Sequence, residues 1–495
     1  MDGPVTKFGK ILIANRGEIA VRIVRTLDRL GIASAIVYCG VDKNSPATKS
    51  AREAVEITGK TPVAAYLDGA QIIQAAQRIG VDAIHPGYGF LSENADFARA
   101  VAEAGMTFIG PSPDSITLMG DKVRARAFVS KHGFPVAPSA IEDDDPKSFA
   151  ARARRVGAPL LIKPSAGGGG KGMRIVRDLA TLEGEIIRAR SEGERYFGDG
   201  RLYVERYVER PRHIEVQVLG DAYGNVVHLF ERECSVQRRF QKIVEETPSP
   251  ALDEMQRRSI CETAAGIARA AGYKGAGTVE FIYGRGEFFF LEMNTRLQVE
   301  HPVTEMVTGL DLVAEQIAVA AGERLRFGQG DIKVEGHAVE CRLYAESPSR
   351  GFVPTTGKVL VLHWPEGDGI RIDSGIATGS VVTSAFDPML AKLVVHGRDR
   401  NEVLARTAAA LDRLVLLGCE TNAAFLRRLI SDPAFVAGEV HTGLLDDTPA
   451  LAAEPELIPA TLRSVLAAAA LATLPVRAAA DAVPALHAAI GNWRN

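Results

Sequence analysis

The first 118 residues alternate between short β-branched runs and amphipathic helical segments. KILIANRGEIAVRIVRTLDRLG predicts a strand, a turn and a helix that ends at Gly31, and ASAIVYC, AIHPG and TFIGPS predict further strands between helices. Strands that are separated by helices pair in parallel, and the helices then cover both faces of the sheet. The opening segment therefore predicts an α/β protein whose first domain is built on a parallel sheet.

The remaining chain divides into three further segments. A length of 495 residues fits about three domains of about 150 residues each. Residues 119–335 begin with the helix DKVRARAFVSKHG and continue with mostly strand-like runs, with one helix near Met255–Ala271. Residues 336–447 are β-rich and close with the helix NEVLARTAAALDRL, and residues 448–495 form an Ala/Pro/Leu-rich tail or linker.

The overall composition disfavours several classes of partner. A net charge of −3 provides no general basic field for nucleic acid. The five cysteines are scattered and never form a CxxC pair, which argues for a reducing compartment and against a thiolate zinc site. Neither a signal peptide nor an apolar stretch approaching about 20 residues is visible. We therefore expect a cytoplasmic protein with no nucleic-acid or membrane partner.

The run KPSAGGGGKGM, Lys163–Met173, lies between two strand-like segments. Glycines carry no Cβ, so successive N–H groups in such a run can converge on phosphate oxygens. A Walker A motif is absent, because Lys171 is followed by Gly172 rather than by Ser or Thr. From the residues alone, a flexible flap over a nucleotide and a mobile surface hairpin are equally supported. The four consecutive glycines are Gly167, Gly168, Gly169 and Gly170.

Residues 277–302 contain two apolar runs that flank the turn GRG and so predict a hairpin. If the turn is centred near Arg285, Glu280 lies near Phe290 and Glu292 lies near Thr278. Side chains alternate along a strand, so the two glutamates would share a face as diagonal neighbours within about 7–8 Å.

This predicted carboxylate pair indicates a metal site. Glu280, Glu292 and Asn294 would lie on one face of a hairpin whose other side chains are largely apolar. Two partly desolvated carboxylates repel each other, and a hard divalent cation such as Mg²⁺ removes that repulsion. The alternative is a pair of exposed strand carboxylates.

The next residues add groups that suit a small oxyanion. Arg296, Gln298, Glu300 and His301 follow the hairpin within a few positions. An arginine grips a planar oxyanion in a bidentate way, and Glu300 could act as a general base if its pKa is tuned. Equally, Arg296 and Glu300 could form only a salt bridge at spacing four.

Long stretches of the chain, in order from about Lys10 to Leu445, resemble the biotin carboxylase family of ATP-grasp ligases. The similar motifs are IANRGEIAVRI, AIHPGYGFLSEN, FIGPSPDSITLMGDK, GGGGKGMRIV, PRHIEVQV, ERECSVQRR, QKIVEETP, GAGTVEF, EMNTRLQVEHPVTEMVTG and GHAVECRLYAE. The resemblance implies a Rossmann-like parallel-sheet domain at residues 1–118, followed by an ATP-grasp domain at 119–335 with a mobile glycine-rich lid at about 137–206. A β-rich α+β domain at 336–447 would complete the fold.

The resemblance also implies roles for individual side chains. For ATP these are Lys122, Lys163, Gly167, Gly168, Gly169, Gly170, Glu205, His213, Gln237, Glu280 and Glu292. For the metal they are Glu280, Glu292 and Asn294, and for bicarbonate Lys242, Arg296, Gln298, Val299 and Glu300. For biotin they are Tyr88, Gly89, Gln298 and Arg342. The catalytic set would be Glu300, Arg342, Lys242 and Arg296.

The implied activity is ATP-dependent carboxylation of carrier-bound biotin with bicarbonate through carboxyphosphate, the first half-reaction of an acyl-CoA carboxylase. The implied cofactors are ATP and Mg²⁺ or Mn²⁺. The expected partners are a biotin carboxyl carrier protein or domain and a carboxyltransferase subunit, in a homodimer or a larger complex. Because no AMKM-like segment is present, biotin would be carried by another subunit or by a region beyond Asn495.

Phe240 departs from the family pattern, and two other functions remain open. Relatives commonly have His or Asn at the position of Phe240. If the side chain at this position touches the ribose, one hydrogen bond would be missing and nucleotide affinity would be altered. The alternative functions are an ATP-grasp ligase that activates a different carboxylate and a non-catalytic nucleotide-binding subunit.

Overall fold

The computed structural model describes residues 8–142, 148–164, 173–197, 200–453 and 463–469. Met1–Leu451 form one compact unit and Ala452–Asn495 a second, and the elements described below belong to the first. No helix in the described part of the chain has the length and apolar character that a membrane crossing needs.

The N-terminal segment forms the predicted parallel sheet, with strand order β3-β2-β1-β4-β5. Its elements in chain order are β1 (Lys10–Ile13), α1 (Gly17–Leu30), β2 (Ala33–Tyr38), α2 (Pro46–Ser50), β3 (Glu53–Glu56), α3 (Pro62–Tyr66), α4 (Gly69–Ile79), β4 (Ala83–His85), α5 (Ala95–Glu103), β5 (Thr107–Phe108) and α6 (Pro113–Gly120). Helix α1 ends at Gly31, as predicted, because that residue adopts the left-handed conformation with φ of 72°.

Both faces of this sheet are buried, as the alternating pattern predicted. Ile11 and Ile13 of β1 pack into a core with Ile23 of α1. Leu12, between them, packs into a separate core with Ile72 of α4. Alternate residues of one strand therefore face helices on opposite sides of the sheet.

A second, four-stranded sheet follows, with strand order β6-β9-β7-β8. Its segment contains α7 (Lys122–Lys131), β6 (Ser139–Ile141), α8 (Phe149–Val156), β7 (Leu160–Pro164), β8 (Arg174–Val176), α9 (Leu182–Phe197) and β9 (Leu202–Arg206). Strands β7 and β8 pair antiparallel, with Leu160 opposite Val176. Residues 165–172 connect these two strands and lie outside the described residues, and with them the predicted ATP-binding glycines at 167–170.

The largest sheet has eight strands in the order β14-β13-β10-β11-β12-β15-β22-β20. Its first part consists of β10 (Arg212–Gly220), β11 (Val226–Arg238), β12 (Gln241–Thr247), α10 (Glu254–Ala270), β13 (Gly275–Gly284), β14 (Glu287–Asn294), α11 (His301–Thr308) and α12 (Leu312–Ala320). Its second part begins with β15 (His337–Tyr344), which pairs antiparallel with β12. Residues on both sides of position 336 therefore share one sheet.

The elements after β15 complete that sheet and surround it with short hairpins and helices. They are β16 (Glu346–Ser347), β17 (Val353–Pro354), β18 (Gly357–Lys358), β19 (Val361–His363), β20 (Ile370–Ser374), β21 (Val381–Val382), β22 (Met389–Gly397), α13 (Arg400–Arg413), β23 (Val415–Leu417), α14 (Ala423–Ile430), α15 (Pro433–Val436) and α16 (Leu444–Asp447). Helices α13 and α14 bury their apolar faces against β15 and β22.

Strands β13 and β14 form the predicted hairpin, but the predicted register is wrong. Glu280 lies directly opposite Glu292 rather than Phe290, and Thr278 lies opposite Asn294 rather than Glu292. The register differs from the prediction by two residues: the turn places Gly284 opposite Glu287, which accounts for one, and a β-bulge at Leu291 adds the other. The two carboxylates still share a face, as an opposed pair instead of diagonal neighbours.

Candidate functional site

A cavity of about 1620 Å³ is lined by residues of the N-terminal segment, the four-stranded sheet and the large sheet. This volume exceeds the range of about 300–1,000 Å³ for one small ligand, so the cavity has room for more than one. The predicted site residues that line it are Tyr88, Gly89, Lys122, Lys163, Glu205, His213, Gln237, Lys242, Glu280, Glu292, Asn294, Arg296, Gln298, Val299 and Arg342. Glu300 is fully buried directly behind this wall.

Lys242 is the central cation of the cavity wall. Its Nζ donates to Glu280 Oε1 at 2.9 Å, to Glu300 Oε1 at 2.7 Å and to Glu215. Burial alone would lower the pKa of Lys242, but the three carboxylates outweigh burial and hold it well above its ordinary value. Lys242 is therefore a permanent positive charge that faces the cavity.

Glu300 is held between two cations. Its Oε1 accepts from Lys242, and its Oε2 accepts from Arg342 Nη2 at 2.9 Å. Burial would raise the pKa of Glu300, but Lys242, Arg342 and the buried Arg232 outweigh it and hold that pKa well below its usual range. The carboxylate is therefore ionised and able to accept a proton.

Arg296 is oriented by three side-chain acceptors. Its Nε donates to Glu93 Oε2 at 2.8 Å, its Nη1 to Gln298 Oε1 at 2.9 Å and its Nη2 to Asn294 Oδ1 at 3.1 Å. Within the described chain it makes no ion pair with Glu300, so the alternative of a salt bridge at spacing four is wrong. Glu93 comes from the N-terminal segment and was not predicted as a site residue.

The carboxylate pair lies beside these cations. Glu280 is only 4% exposed, so the alternative of two exposed strand carboxylates is wrong for it. Its Oε1 accepts from Asn294 Nδ2 at 2.8 Å and its Oε2 lies 2.8 Å from His213 Nε2. Burial raises the pKa of Glu280, but Lys242 and His213 hold it below its ordinary value. Glu292 Oε2 pairs with Lys122 Nζ at 2.6 Å.

This donor set fits a hard divalent cation. Glu280, Glu292 and Asn294 offer carboxylate and amide oxygens from one sheet face, the ligands that Mg²⁺ and Mn²⁺ prefer. Ligand atoms of His213, Glu215 and Glu280 also lie within 4.8 Å of one another. In that second grouping the ammonium of Lys242 already lies between the carboxylates of Glu215 and Glu280.

The side chains predicted for the nucleotide lie in two neighbouring groups. Lys163 on β7 forms an ion pair with Glu205 on β9, and these are the two central strands of the four-stranded sheet. Gln237 Nε2 lies 2.8 Å from His213 Nδ1 on the large sheet. Both groups line the cavity, on elements that precede and follow the glycine run.

Arg342 reaches the site because β15 is the neighbour of β12. Its Nε donates to Glu245 Oε1 at 2.6 Å, while its Nη2 binds Glu300. Burial raises the pKa of Glu245 to about 7, although Arg342 acts in the opposite direction. Glu245 was not predicted as a site residue, and Arg342 Nη2 contacts both its carboxylate and that of Glu300.

Two loops form the rim of the cavity. Asn15 Nδ2 donates to the carbonyl of Tyr88 at 2.8 Å, and the next residue, Gly89, has a φ of 69° that favours glycine. On another loop, Phe240 is 86% exposed and also lines the cavity, two positions before Lys242. The altered nucleotide affinity expected from Phe240 stays a prediction.

Sequence reasoning missed several charged residues that build this site. Arg232 is fully buried, and its Nε donates to Glu215 Oε1 at 2.6 Å. Glu215 and Lys392 each lie between two apolar neighbours in a strand, and a charge in such a place needs a partner. That signal could have found these two residues. The missed residues are Glu93, Glu215, Arg232, Glu245 and Lys392.

Comparison with known families gives three matches along the chain. Residues 7–116 match "Biotin carboxylase, N-terminal domain", residues 121–327 match "Carbamoyl-phosphate synthase L chain, ATP binding domain", and residues 340–447 match "Biotin carboxylase C-terminal domain".

Individual relatives are similar over nearly the same range. The biotin carboxylase of Allochromatium vinosum is 49% identical over 88% of this chain and 98% of its own length. Biotin carboxylase 1 of Bacillus subtilis is 46% identical over 88% of this chain and 98% of its own length. Among solved structures, the biotin carboxylase domain dimer of Hydrogenobacter thermophilus 2-oxoglutarate carboxylase, in complex with MgADP, ADP and bicarbonate, is 43% identical. It superposes with a TM-score of 0.81 and covers 91% of this chain and 99% of that one.

Proposed function

This chain belongs to the biotin carboxylase family, and we propose that it uses ATP and bicarbonate to carboxylate the biotin of a separate carrier. Family membership makes it an ATP-dependent ligase. The observation that carries the proposal is the position of Glu300, an ionised carboxylate bound at once by Lys242 and Arg342 behind the cavity wall. Lys242 would then face bicarbonate, the carboxyl donor, and Arg342 would face biotin, the carboxyl acceptor.

The ATP end of the cavity contains the lysines and the carboxylate pair. Lys122 and Lys163 would neutralise phosphate oxygens, with His213, Gln237 and Glu205 beside the nucleotide. The glycine run between β7 and β8 would close over the phosphates and exclude water. Glu280, Glu292 and Asn294 would hold Mg²⁺ or Mn²⁺, which when bound supplies neutralisation of phosphate charge.

Bicarbonate would bind between Lys242 and Arg296, with Gln298 and Val299 completing the pocket. Glu300 would take the proton of bicarbonate onto its carboxylate as a bicarbonate oxygen attacks the terminal phosphorus, giving carboxyphosphate and ADP. Lys242, Arg342 and Arg232 hold the pKa of Glu300 low in the free protein. When an incoming anion pairs with Lys242, the effect of Lys242 on the pKa of Glu300 weakens. That pKa then rises, and Glu300 becomes a stronger base.

Biotin would enter beside Tyr88, Gly89 and Gln298, with its ureido oxygen toward Arg342. Carboxyphosphate breaks down to CO₂ and phosphate, and the phosphate takes the ureido N–H proton. The ureido nitrogen then attacks CO₂, while Arg342 stabilises the negative charge on the ureido oxygen. The buried carboxylates Glu245 and Glu300 keep the guanidinium in place throughout.

The proposal extends to partners and location. The biotin would be presented by a carrier protein or domain, and a carboxyltransferase subunit would use the carboxybiotin for an acyl-CoA such as acetyl- or propionyl-CoA. A homodimer or a larger complex in the cytoplasm is the expected setting. We also retain residues 1–118, 119–335 and 336–447 as the proposed domains and 448–495 as a tail or linker.

The test measures ADP release from ATP in the presence of Mg²⁺, bicarbonate and free biotin, with each component omitted in turn. We expect release to depend on bicarbonate and to rise with biotin. Release that is indifferent to both would reject the proposal. Stimulation by a different carboxylate would indicate another ATP-grasp ligase, and nucleotide binding without release would indicate a non-catalytic subunit.

A further inference from the structure

Lys392 is a fully buried lysine on the strand next to the β20 edge of the large sheet. It lies on β22, directly opposite Arg342 on β15 and directly opposite Asp373 on β20. Directly opposed residues share a sheet face, so these three charged side chains form one row across three strands. A buried ammonium is costly unless it is paired and hydrogen-bonded, and its partners therefore show what it holds in place.

The main hydrogen-bond partner of Lys392 is a backbone group of the site. Its Nζ donates to the carbonyl oxygen of Val299 at 2.9 Å. The same ammonium lies 3.2 Å from Glu18 Oε2 on α1 and 3.9 Å from Asp373 Oδ2. The two carboxylates balance its charge, while the carbonyl uses one of its three N–H donors.

Arg342, the neighbouring cation in this row, binds Glu300, the residue that follows Val299. Arg342 binds the side chain of Glu300, and Lys392 binds the carbonyl that precedes Glu300. In a trans peptide the C=O and the following N–H point in opposite directions, so a fixed Val299 carbonyl also fixes the N–H of Glu300, away from Lys392. The side chain and the backbone of Glu300 are thus anchored by two different cations on adjacent strands.

We propose that Lys392 is a positioning residue for bicarbonate, acting through the Val299–Glu300 peptide, with Glu18 and Asp373 as its counterions. The inference rests on the proposed function and adds to it a residue that lies outside the cavity. Lys392 touches no reacting atom. It holds the backbone between Gln298 and Glu300 in a fixed position relative to the side chains of Lys242 and Arg296. Misplacement of such a segment by about 1 Å is enough to cost on the order of 100-fold in rate.

The experiment compares three variants with the wild-type chain at pH 8, where Glu18 is ionised. K392M removes the ammonium at similar side-chain length, and K392M/E18Q also removes the counterion that K392M leaves unbalanced. V395A is the control, because Val395 is fully buried on the same strand but packs into the core on the opposite face.

We expect K392M to raise the KM for bicarbonate about 10- to 100-fold while the KM for ATP stays within about twofold of wild type. Amide hydrogen exchange in residues 296–301 should be faster in K392M. The double variant should recover thermal stability but not the bicarbonate KM, and V395A should lose stability with an unchanged bicarbonate KM.

The outcomes separate the two proposals. Wild-type protein without bicarbonate-dependent ADP release would overturn the proposed function. Wild-type protein that has this activity, together with a K392M variant of normal bicarbonate KM, would overturn only the role of Lys392. The same role is overturned if K392M/E18Q restores the bicarbonate KM, since charge balance would then explain the effect, or if V395A raises it equally.

Discussion

The Nζ of Lys242 lies 2.7 Å from Glu300 Oε1, although the two residues are 58 positions apart in the chain. The contact joins the start of β12 to the residue that precedes α11. It places a permanent cation against the carboxylate proposed as general base, in a wall that also contains the carboxylate pair.

Replacement of Glu300 by Gln should abolish proton transfer without removing the nucleotide site. We expect E300Q to lower bicarbonate-dependent ADP release by about 10²- to 10⁴-fold, the usual contribution of a general base. Binding of a fluorescent ATP analogue should be nearly unchanged, because Glu300 lies behind the bicarbonate pocket. An E300Q variant that retains most of the activity would show that another group takes the proton.

Replacement of Glu292 by Gln should raise the requirement for Mg²⁺. The change removes one ionic oxygen ligand from the opposed pair, so the Mg²⁺ concentration for half-maximal activity should rise about tenfold or more. E287Q is a matched control at the start of the same strand, where Glu287 is exposed. An equal shift in both variants would indicate a general effect of hairpin charge instead of metal binding.

Replacement of Glu245 by Gln should disturb biotin more than ATP. Gln keeps the shape of the side chain but weakens its charge-assisted hydrogen bond to Arg342, so biotin-dependent activity should fall about tenfold. R342A should lose nearly all of that activity, with ATP binding retained. E246Q is the control, because Glu246 is the next residue of β12 and binds His337 and Arg400 instead. Equal losses of ATP binding and biotin-dependent activity in R342A would contradict the assigned role.

The stability of the protein should depend on pH through Glu18. Burial raises the pKa of Glu18 from its ordinary value of 4.5 to about 7, with Lys392 acting in the opposite direction. The folded state therefore binds a proton that the unfolded state has lost between pH 4.5 and 7, and the contribution of Glu18 to the free energy of unfolding falls as pH rises through that window. E18Q should remove this loss and be more stable than wild type at pH 8 by up to about 3 kcal/mol.

Denaturant unfolding of wild type and E18Q at pH 4.5 and pH 8 measures this difference. The two proteins should have nearly equal stability at the lower pH. An E18Q variant that is less stable than wild type at pH 8 would show that the ion pair with Lys392 outweighs the cost of burying the carboxylate.

Much of the fold follows from local patterns. The alternating segments of the first 118 residues form a parallel sheet with helices on both faces, and Gly31 ends α1 as expected. The two glutamates of the GTVEF and FLEMN runs share one face because side chains alternate along each strand. Such features depend on residues that are close in the chain, so the sequence contains enough information to predict them.

The sequence alone determined which residue types are present, which strand face each one takes and which family the motifs resemble. The tertiary structure decided the partners: the bulge at Leu291 that opposes Glu280 to Glu292, the contact of Glu93 with Arg296, and the pairing of β15 between β12 and β22. Strand order and bulges are set by the packing of the whole sheet against its helices, not by nearby residues. For that reason the contacts of Arg342 and Lys392 with consecutive positions of one loop could be found only in three dimensions.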